Sequence, residues 1–147
     1  MRLYFATFQA GNHQGKAAIE QYLTILKANP KNVAALNNLA LAYQDEKDPR
    51  ALEYAERAYA LAADNPAVLD TLGWVLVSQN NLSRGLPLLE KATSIAPSSF
   101  DVRYHFAQGL MKSGDKVKAR KELEQLLATA KPSAKTDEAK AMLKQLQ

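Results

Sequence analysis

The chain has 147 residues, enough for one domain, with 47% apolar and 23% charged residues and a net charge of +4. It has no cysteine, which excludes disulfides and thiolate metal sites, and no apolar run long enough for a membrane-spanning helix. The charge excess lies entirely in residues 111–147, with 9 basic and 5 acidic side chains. A basic patch confined to one end argues against a general nucleic-acid-binding surface.

Apolar residues recur in pairs of segments with the i, i+3, i+4, i+7 spacing of amphipathic helices. The first helix of each pair, helix A, is predicted at about 2–10, 34–45, 67–79 and 100–112. The second, helix B, is predicted at about 16–28, 50–62, 83–95 and 116–129. Turn and capping residues separate the segments, and Pro30, Pro66 and Pro97 end or begin pairs. These patterns predict an all-α chain.

The helix pairs repeat with a period close to 34 residues. The predicted units span about 1–32, 33–65, 66–99 and 100–131, followed by a closing helix at about 134–146 for which Thr136 is a suitable cap. We expect a single domain over residues 1–147. Because the first unit begins only just before its first helix, we also expect the chain to be a piece of a longer repeat protein.

Small residues recur where helices A and B of one unit should meet. Ala40, Gly73 and Ala107 in helices A match Ala51, Gly85 and Ala119 in helices B. A glycine inside a helix costs about 1 kcal/mol relative to alanine, so Gly73 and Gly85 indicate a close approach of two backbones. Pro87, one turn into the third helix B, is expected to loosen the first turn of that helix.

This pattern of Leu, Leu-Ala or Leu-Gly, and Tyr or Leu in helix A, followed by small residues and proline in helix B, resembles the tetratricopeptide-repeat (TPR) family. The resemblance covers all but the C-terminal tail. It implies an α-α superhelix whose concave groove, lined by helices A, holds a protein or peptide. It also implies a chain without cofactor, metal or enzymatic activity.

The segments 37–40, 48–62 and 64–74 resemble more narrowly the C-terminal repeats of bacterial TPR proteins and lipoproteins linked to PEP-CTERM/exosortase sorting and exopolysaccharide export. That likeness implies the periplasm or cell envelope, although the chain carries no lipobox. The residues themselves leave the compartment open.

Helical phase projects a set of side chains from helices A into the concave groove. They are Asn37, Asn38, Leu41 and Gln44 in unit two, Asp70, Thr71, Trp74 and Val77 in unit three, and Asp101, Tyr104, His105, Gln108, Met111 and Lys112 in unit four. Trp74 is the most informative of them, because tryptophan anchors interfaces through its large buried area. Packing of Trp74 against a neighbouring helix A is the competing interpretation.

Asp70 and His105 are predicted to approach each other across adjacent helices A. An open groove supplies neither desolvation nor oxyanion donors, so we expect no catalytic triad there. His13 and His105 lie too far apart along the repeat to share a metal.

Two alternatives to a partner-holding groove remain open, and self-association is a further possible contact. The repeats could act only as a spacer or cap of a longer solenoid. The basic C-terminal end could bind an acidic polymer or nucleic acid, which predicts a steep salt dependence. The apolar edge of unit one could drive self-association through Leu3, Tyr4, Phe5 and Phe8.

Overall fold

The computed structural model describes residues 15–146, and within them the chain is all α-helix with no strand. The helices are α1 (Gly15–Ala28), α2 (Val33–Asp45), α3 (Arg50–Leu61), α4 (Pro66–Ser78), α5 (Leu82–Ile95), α6 (Phe100–Ser113), α7 (Lys116–Thr129) and α8 (Ala134–Gln145). Their ends agree with the predicted ones to within one residue, and the all-α prediction is confirmed. The helix predicted at 2–10 and the apolar edge of unit one lie outside the described residues.

Most helices begin at a residue whose side chain accepts a hydrogen bond from an otherwise unpaired backbone N–H of the first turn. These capping residues are Asn32, Asn65, Asn81, Ser99 and Asp115.

The cap of α8 differs from the predicted one. The capping residue is Ser133, whose Oγ accepts from the backbone N–H of Thr136. Thr136 acts three residues later, where its hydroxyl accepts from the N–H of Ser133 at 2.7 Å. This reciprocal pair satisfies two N–H groups at once, so Thr136 is the second half of a capping box.

The turns from helix A to helix B use a left-handed residue at the same place in three successive units. Lys47, Asn80 and Gly114 have φ angles of 56°, 67° and 91°. A left-handed residue reverses the chain after the last turn of a helix, and glycine adopts it most readily. The repeat is therefore preserved in backbone conformation even where its residue type is not.

The predicted close approach of Gly73 and Gly85 is confirmed. A Cβ atom placed on Gly85 would lie 2.9 Å from the carbonyl oxygen of Gly73 and 2.8 Å from Cγ2 of Val77. A Cβ on Gly73 would lie 2.8 Å from Cγ of Leu89. Real Cβ atoms do not come so near, so α4 and α5 pack at a distance that only glycine at both positions permits.

The corresponding pairs in the other units are alanines. Ala40 on α2 corresponds to Ala51 on α3, and Ala107 on α6 corresponds to Ala119 on α7, and the two helices of each unit pack against each other. All four are fully buried, so units two and four, like unit three, bury small residues on both helices of the hairpin.

The hairpins stack so that helices of one kind lie beside each other. The helices A, α2, α4 and α6, contact their neighbours in sequence along one layer. The helices B, α3, α5 and α7, form the second layer, across which Arg84 pairs with Glu56 at 2.6 Å and Lys118 with Glu90 at 3.3 Å. Within residues 15–146, no helix is both long and apolar enough to cross a membrane.

Helix α5 continues through Pro87 from Leu82 to Ile95. Because proline has no N–H, the carbonyl of Ser83 lacks its usual helical donor. The pyrrolidine ring is exposed, where water can reach that carbonyl. The expected loosening of the first turn therefore amounts to one missing hydrogen bond and not to a break in the helix.

Replacing Gly85 with alanine tests the glycine contact. The new methyl group would meet backbone atoms of α4 that cannot rotate away, so we expect Gly85→Ala to lower the free energy of unfolding by about 1–3 kcal/mol. Urea unfolding followed by circular dichroism measures this change.

Gly109→Ala is the matched control, because a Cβ there would meet only the ends of flexible side chains, the nearest being Leu86 Cδ2 at 2.9 Å. Alanine also favours the helix by about 1 kcal/mol, so we expect Gly109→Ala to change stability little. Equal losses in both variants would contradict the glycine contact.

Candidate functional site

The layer of helices A contains a cluster formed by Asp70 and Trp74 on α4 and His105 on α6, which we call the groove cluster. Nδ1 of His105 lies 2.9 and 3.0 Å from the two carboxylate oxygens of Asp70. The imidazole also stacks on the indole of Trp74, with ring centroids 4.6 Å apart and planes inclined by 20°. The predicted approach of Asp70 to His105 is confirmed.

The sequence builds this cluster from helix spacing and repeat period together. Asp70 and Trp74 are four residues apart, so they lie one above the other on the same face of α4. His105 follows Asp70 by 35 residues, which places it at nearly the same height on the next helix A. One imidazole can therefore touch both a carboxylate and an indole.

The cluster is largely withdrawn from water. The side chains of Asp70 and His105 are only 12% and 23% exposed. Burial is the main influence on Asp70 and raises the pKa of its carboxyl group above the usual value. The hydrogen bond and charge of His105 act in the opposite direction and offset part of this rise, while the negative charge of Asp101 adds to it.

The chemistry of the groove cluster depends on the direction of its hydrogen bond and on the burial of the neighbouring hydroxyl group. When the carboxyl group of Asp70 is ionised it can only accept, and the N–H at Nδ1 of His105 is then the donor of this hydrogen bond. Thr71, the hydroxyl closest to Asp70 in sequence, is only 2% exposed, so a substrate could not reach it as a nucleophile. Within residues 15–146, no three His, Asp or Glu side chains are grouped closely enough to hold a metal ion.

Two residues projected into the groove do not present their side chains there. Thr71 and Val77 are 2% and 1% exposed, so the expectation that they contact a partner is corrected. The reason is that α4 is the central helix A, packed by α2, α3, α5 and α6. Val77 points at α5, where its Cγ2 fills the space beside Gly85.

Asn37 is also buried, at 9% exposure, and its Oδ1 has no hydrogen-bond partner among the described residues. Asp70 is equally buried at 9%, because His105 covers it. Neither side chain offers a partner more than a small part of its surface. The amide predicted at Asn37 to bind a peptide backbone is therefore largely withdrawn from the surface.

The remaining projected residues keep some surface. Part-buried side chains are those of Asn38, Leu41, Gln44, Trp74, Tyr104, His105, Gln108 and Met111. Asp101 and Lys112 are exposed and already have partners, since Asp101 pairs with Lys135 at 3.0 Å and Lys112 donates to the carbonyl of Val77 at 3.0 Å. Trp74 thus lies in a surface that is mostly polar.

Lys135 on α8 adds a contact to the layer of helices A, because it pairs with Asp101 on α6. The sequence pattern indicated only that α8 closes the repeat array. Lys135 follows Asp101 by 34 residues. Continuing the repeat period into the tail would have placed Lys135 beside Asp101. Helix α8 therefore occupies the place of a further helix A.

A second feature missed from the sequence is an ion pair inside unit four. Arg103 and Glu122 lie 2.9 Å apart, with side chains only 14% and 15% exposed. The corresponding place of Arg103 in units two and three is taken by Leu36 and Leu69, both fully buried. Comparing the units position by position shows the substitution, which a search for apolar periodicity passes over.

Arg103 also uses its other donors. Its Nε and a terminal nitrogen donate to the carbonyl oxygen of Pro97 at 3.2 and 2.9 Å, and the nitrogen facing Glu122 also donates to Gln125. The guanidinium group thus connects the turn before α6 with α7.

Two family models described as tetratricopeptide repeats match the chain, one over residues 9–66 and the other over residues 76–146. The chain belongs to the tetratricopeptide-repeat family. Together the two matches leave out only residues 1–8, 67–75 and 147. The α-α superhelical repeat expected from the resemblance is therefore confirmed.

Solved TPR structures share this fold at low sequence identity. MamA of AMB-1 is 23% identical over 99% of this chain and 87% of that chain, with a TM-score of 0.76. TPR-like repeats of a putative kinesin light chain from Podospora anserina are 19% identical over 99% and 83% of the two chains, with a TM-score of 0.77. No curated protein sequence matches the chain.

YrrB, described as a TPR protein with an unusual peptide-binding site, is 18% identical over 97% of this chain and 76% of that chain, with a TM-score of 0.69. At these identities the likenesses establish the fold.

The ion pair in unit four can be tested against the leucines of unit three. Removing Glu122 leaves a largely buried donor of Arg103 without its anionic partner, so we expect Glu122→Ala to destabilise the protein by about 1–3 kcal/mol. The double variant Arg103→Leu/Glu122→Leu reproduces Leu69 and Leu88 of the preceding unit. We expect it to be close to wild type or more stable, because apolar packing replaces a desolvated pair. Urea unfolding of the three proteins checks this order, and a double variant less stable than Glu122→Ala would contradict it.

The acidity of Asp70 gives a second prediction. Its raised pKa means that the folded protein holds this proton at pH values where the unfolded chain has released it. The contribution of Asp70 to stability is therefore fully present below its ordinary pKa and is lost as the pH rises through its folded-state pKa. A carbon-detected NMR titration of the aspartate carboxyl groups measures the shift.

Asp48 is the internal control for this titration, because hydrogen bonds from Arg50 lower the pKa of its carboxyl group. We expect Asp48 to titrate below, and Asp70 above, the usual aspartate value. A midpoint for Asp70 at or below that of Asp48 would show that burial is not the dominant influence on it.

Proposed function

We propose that this protein is a non-catalytic interaction scaffold that holds a peptide or helix of a partner protein in the groove lined by α2, α4 and α6. The observation that carries the proposal is the groove cluster. It places a part-buried tryptophan on the central helix A and fixes its orientation by stacking on a neighbouring helix. An aromatic side chain of this kind is the residue type most enriched at the energetic centre of protein interfaces.

The fixed orientation of Trp74 favours binding in a specific way. A free side chain loses rotational freedom when it is buried by a partner, which weakens the complex by about 0.5–1.5 kcal/mol. The stacking contact with His105 already restricts the indole in the free protein. A partner would therefore bury apolar area of Trp74 without the further loss of rotational freedom that a mobile side chain would incur.

The polar surroundings suggest an extended or helical peptide with main-chain groups to satisfy. Asn38, Gln44 and Gln108 lie on the same layer with part of their surface exposed. Each amide can both donate to a carbonyl and accept from an N–H. We therefore assign them the role of holding the peptide backbone while Trp74 contacts an apolar side chain.

We also assign the scaffold to a pathway of the bacterial cell envelope. The resemblance of segments 37–40, 48–62 and 64–74 supports a scaffold in the bacterial cell envelope that serves exopolysaccharide export and PEP-CTERM protein sorting. The described peptide-binding site of the structurally similar YrrB supports the general role in holding a peptide. A pull-down from envelope extract, compared with one from cytosolic extract, tests the compartment and pathway.

A peptide selection tests the groove itself. Peptides selected from a random display library on the wild-type chain should bind about 30-fold or more weakly to Trp74→Ala, because an interface hot spot contributes about 2 kcal/mol or more. Titration followed by the fluorescence of Trp74, the only tryptophan, should also shift its emission in the wild type. Calorimetry measures the affinity of the variant.

Leu61→Ala is the matched control, since Leu61 is apolar and 45% exposed but lies at the end of α3 in the other layer. We expect this variant to bind the peptides within about twofold of wild type, a difference well below that of a hot spot. Both variants should keep the wild-type circular dichroism. Selected peptides that bind Trp74→Ala as tightly as wild type would contradict the groove around Trp74 as their binding site.

A further inference from the structure

A cavity of about 290 Å³ lies away from the groove cluster, at the edge where consecutive units are joined. Two turns border it, residues 97–99 before α6 and residues 130–133 before α8. The end of α7 closes it from the side of the helices B. The cavity therefore belongs to unit four and the closing helix, and the proposed groove function does not use it.

The inner wall of this cavity is apolar. Phe100 and Leu126 form the floor, and Pro97 and Pro132 stand on the two turns. Leu126 is only 3% exposed, and Phe100 is part-buried beside Tyr104. An apolar body entering the cavity would displace water from carbon-rich surface, which is the main favourable term for small ligands in pockets.

The rim of the cavity is basic. Arg103, Lys131 and Lys135 all line it. The guanidinium of Arg103 is held by Glu122 and by the carbonyl of Pro97. Arg103 therefore lines the cavity with a side chain that is fixed in position. Lys131 takes part in no ion pair among the described residues. Its positive charge at the mouth of an apolar cavity favours a negatively charged group.

Lys135 can turn toward the same group. Its pair with Asp101 is exposed on both sides, with side chains 62% and 61% accessible. Exposed pairs of this kind are weak, so an anion at the rim can compete for the ammonium group. The first turns of α6 and α8 also border the cavity, and the N-terminal ends of helices add to the positive potential.

We propose that this cavity binds a small organic acid with an apolar body. The body lies against Phe100 and Leu126, and the carboxylate faces Lys131 and Lys135. The volume corresponds to roughly ten water molecules at liquid density, which fits one aryl or branched alkyl group joined to a short acid chain.

A pair of probes separates the two halves of this site. The probes are 3-phenylpropanoate and its neutral amide, 3-phenylpropanamide, titrated into the full chain and followed by the backbone amide signals of residues 98–103 and 129–136. We expect the carboxylate to bind about tenfold more tightly than the amide, because charge-assisted contacts replace neutral ones. Acetate, which lacks the apolar body, should bind more weakly than either.

Charge variants locate the carboxylate. Lys131→Ala/Lys135→Ala should bind 3-phenylpropanoate about tenfold more weakly and the amide unchanged. The matched control is Lys140→Ala/Lys144→Ala, which removes two exposed lysines of α8 that do not line the cavity. This control should bind the acid within about twofold of wild type, since it leaves every proposed contact in place.

A filling variant locates the apolar body. Thr129 lines the cavity and is exposed, so Thr129→Trp should occupy the space and abolish binding of both probes with the circular dichroism unchanged. Three results would overturn the proposal. They are equal affinity for acid and amide, equal weakening in the two double-lysine variants, or signal changes confined to residues outside 98–103 and 129–136.

Discussion

The fold depends on how closely the two helices of one unit approach each other. In unit three the backbones of α4 and α5 meet at Gly73 and Gly85, where even one methyl group would clash with a carbonyl oxygen. Close approach brings larger side chains on either side, such as Leu89 and Val77, into contact across the pair. The hairpin so formed has an apolar surface on both flanks. Each of these surfaces is buried when a neighbouring hairpin packs against it. Stacking is therefore a consequence of the short distance within each unit.

Stacking in turn makes the groove cluster possible. When hairpins stack at a constant spacing, helices of the same kind become neighbours, and residues about 34 positions apart come within contact distance. His105 reaches Asp70 over 35 residues, and Lys135 reaches Asp101 over 34. The carboxylate of Asp70 tolerates burial because this neighbour supplies a hydrogen bond. The chemistry of the groove thus rests on the regularity of the core.

The sequence predicted the helices of residues 15–146 to within one residue, because period, proline and capping signals all act locally. Aligning the repeats on their common period also predicted the contact between Gly73 and Gly85 and the approach of Asp70 to His105. Predictions of side-chain exposure from the sequence failed where burial depends on how many helices pack around a given helix. Thr71 and Val77 were predicted to face the groove, yet α4 is enclosed by four helices and both side chains are buried. The ion pair of Arg103 with Glu122 was not predicted, because a search for apolar periodicity gives no signal at a position that carries a charged residue.

That ion pair makes unit four unlike the others in a way that affects how the repeats could be rearranged. Units two and three present leucine where unit four presents Arg103, and only α7 supplies the acidic side chain that neutralises it. A chimera that joined α6 to α5 would leave the guanidinium facing Leu88, a largely buried cation beside a hydrocarbon. The backbones of the units are similar, whereas the charge of Arg103 on α6 is neutralised only when α6 pairs with α7, which carries Glu122. In unit four, α6 therefore discriminates between α7 and the helix B of the preceding unit through charge, as an unpaired charge disfavours a wrong partner.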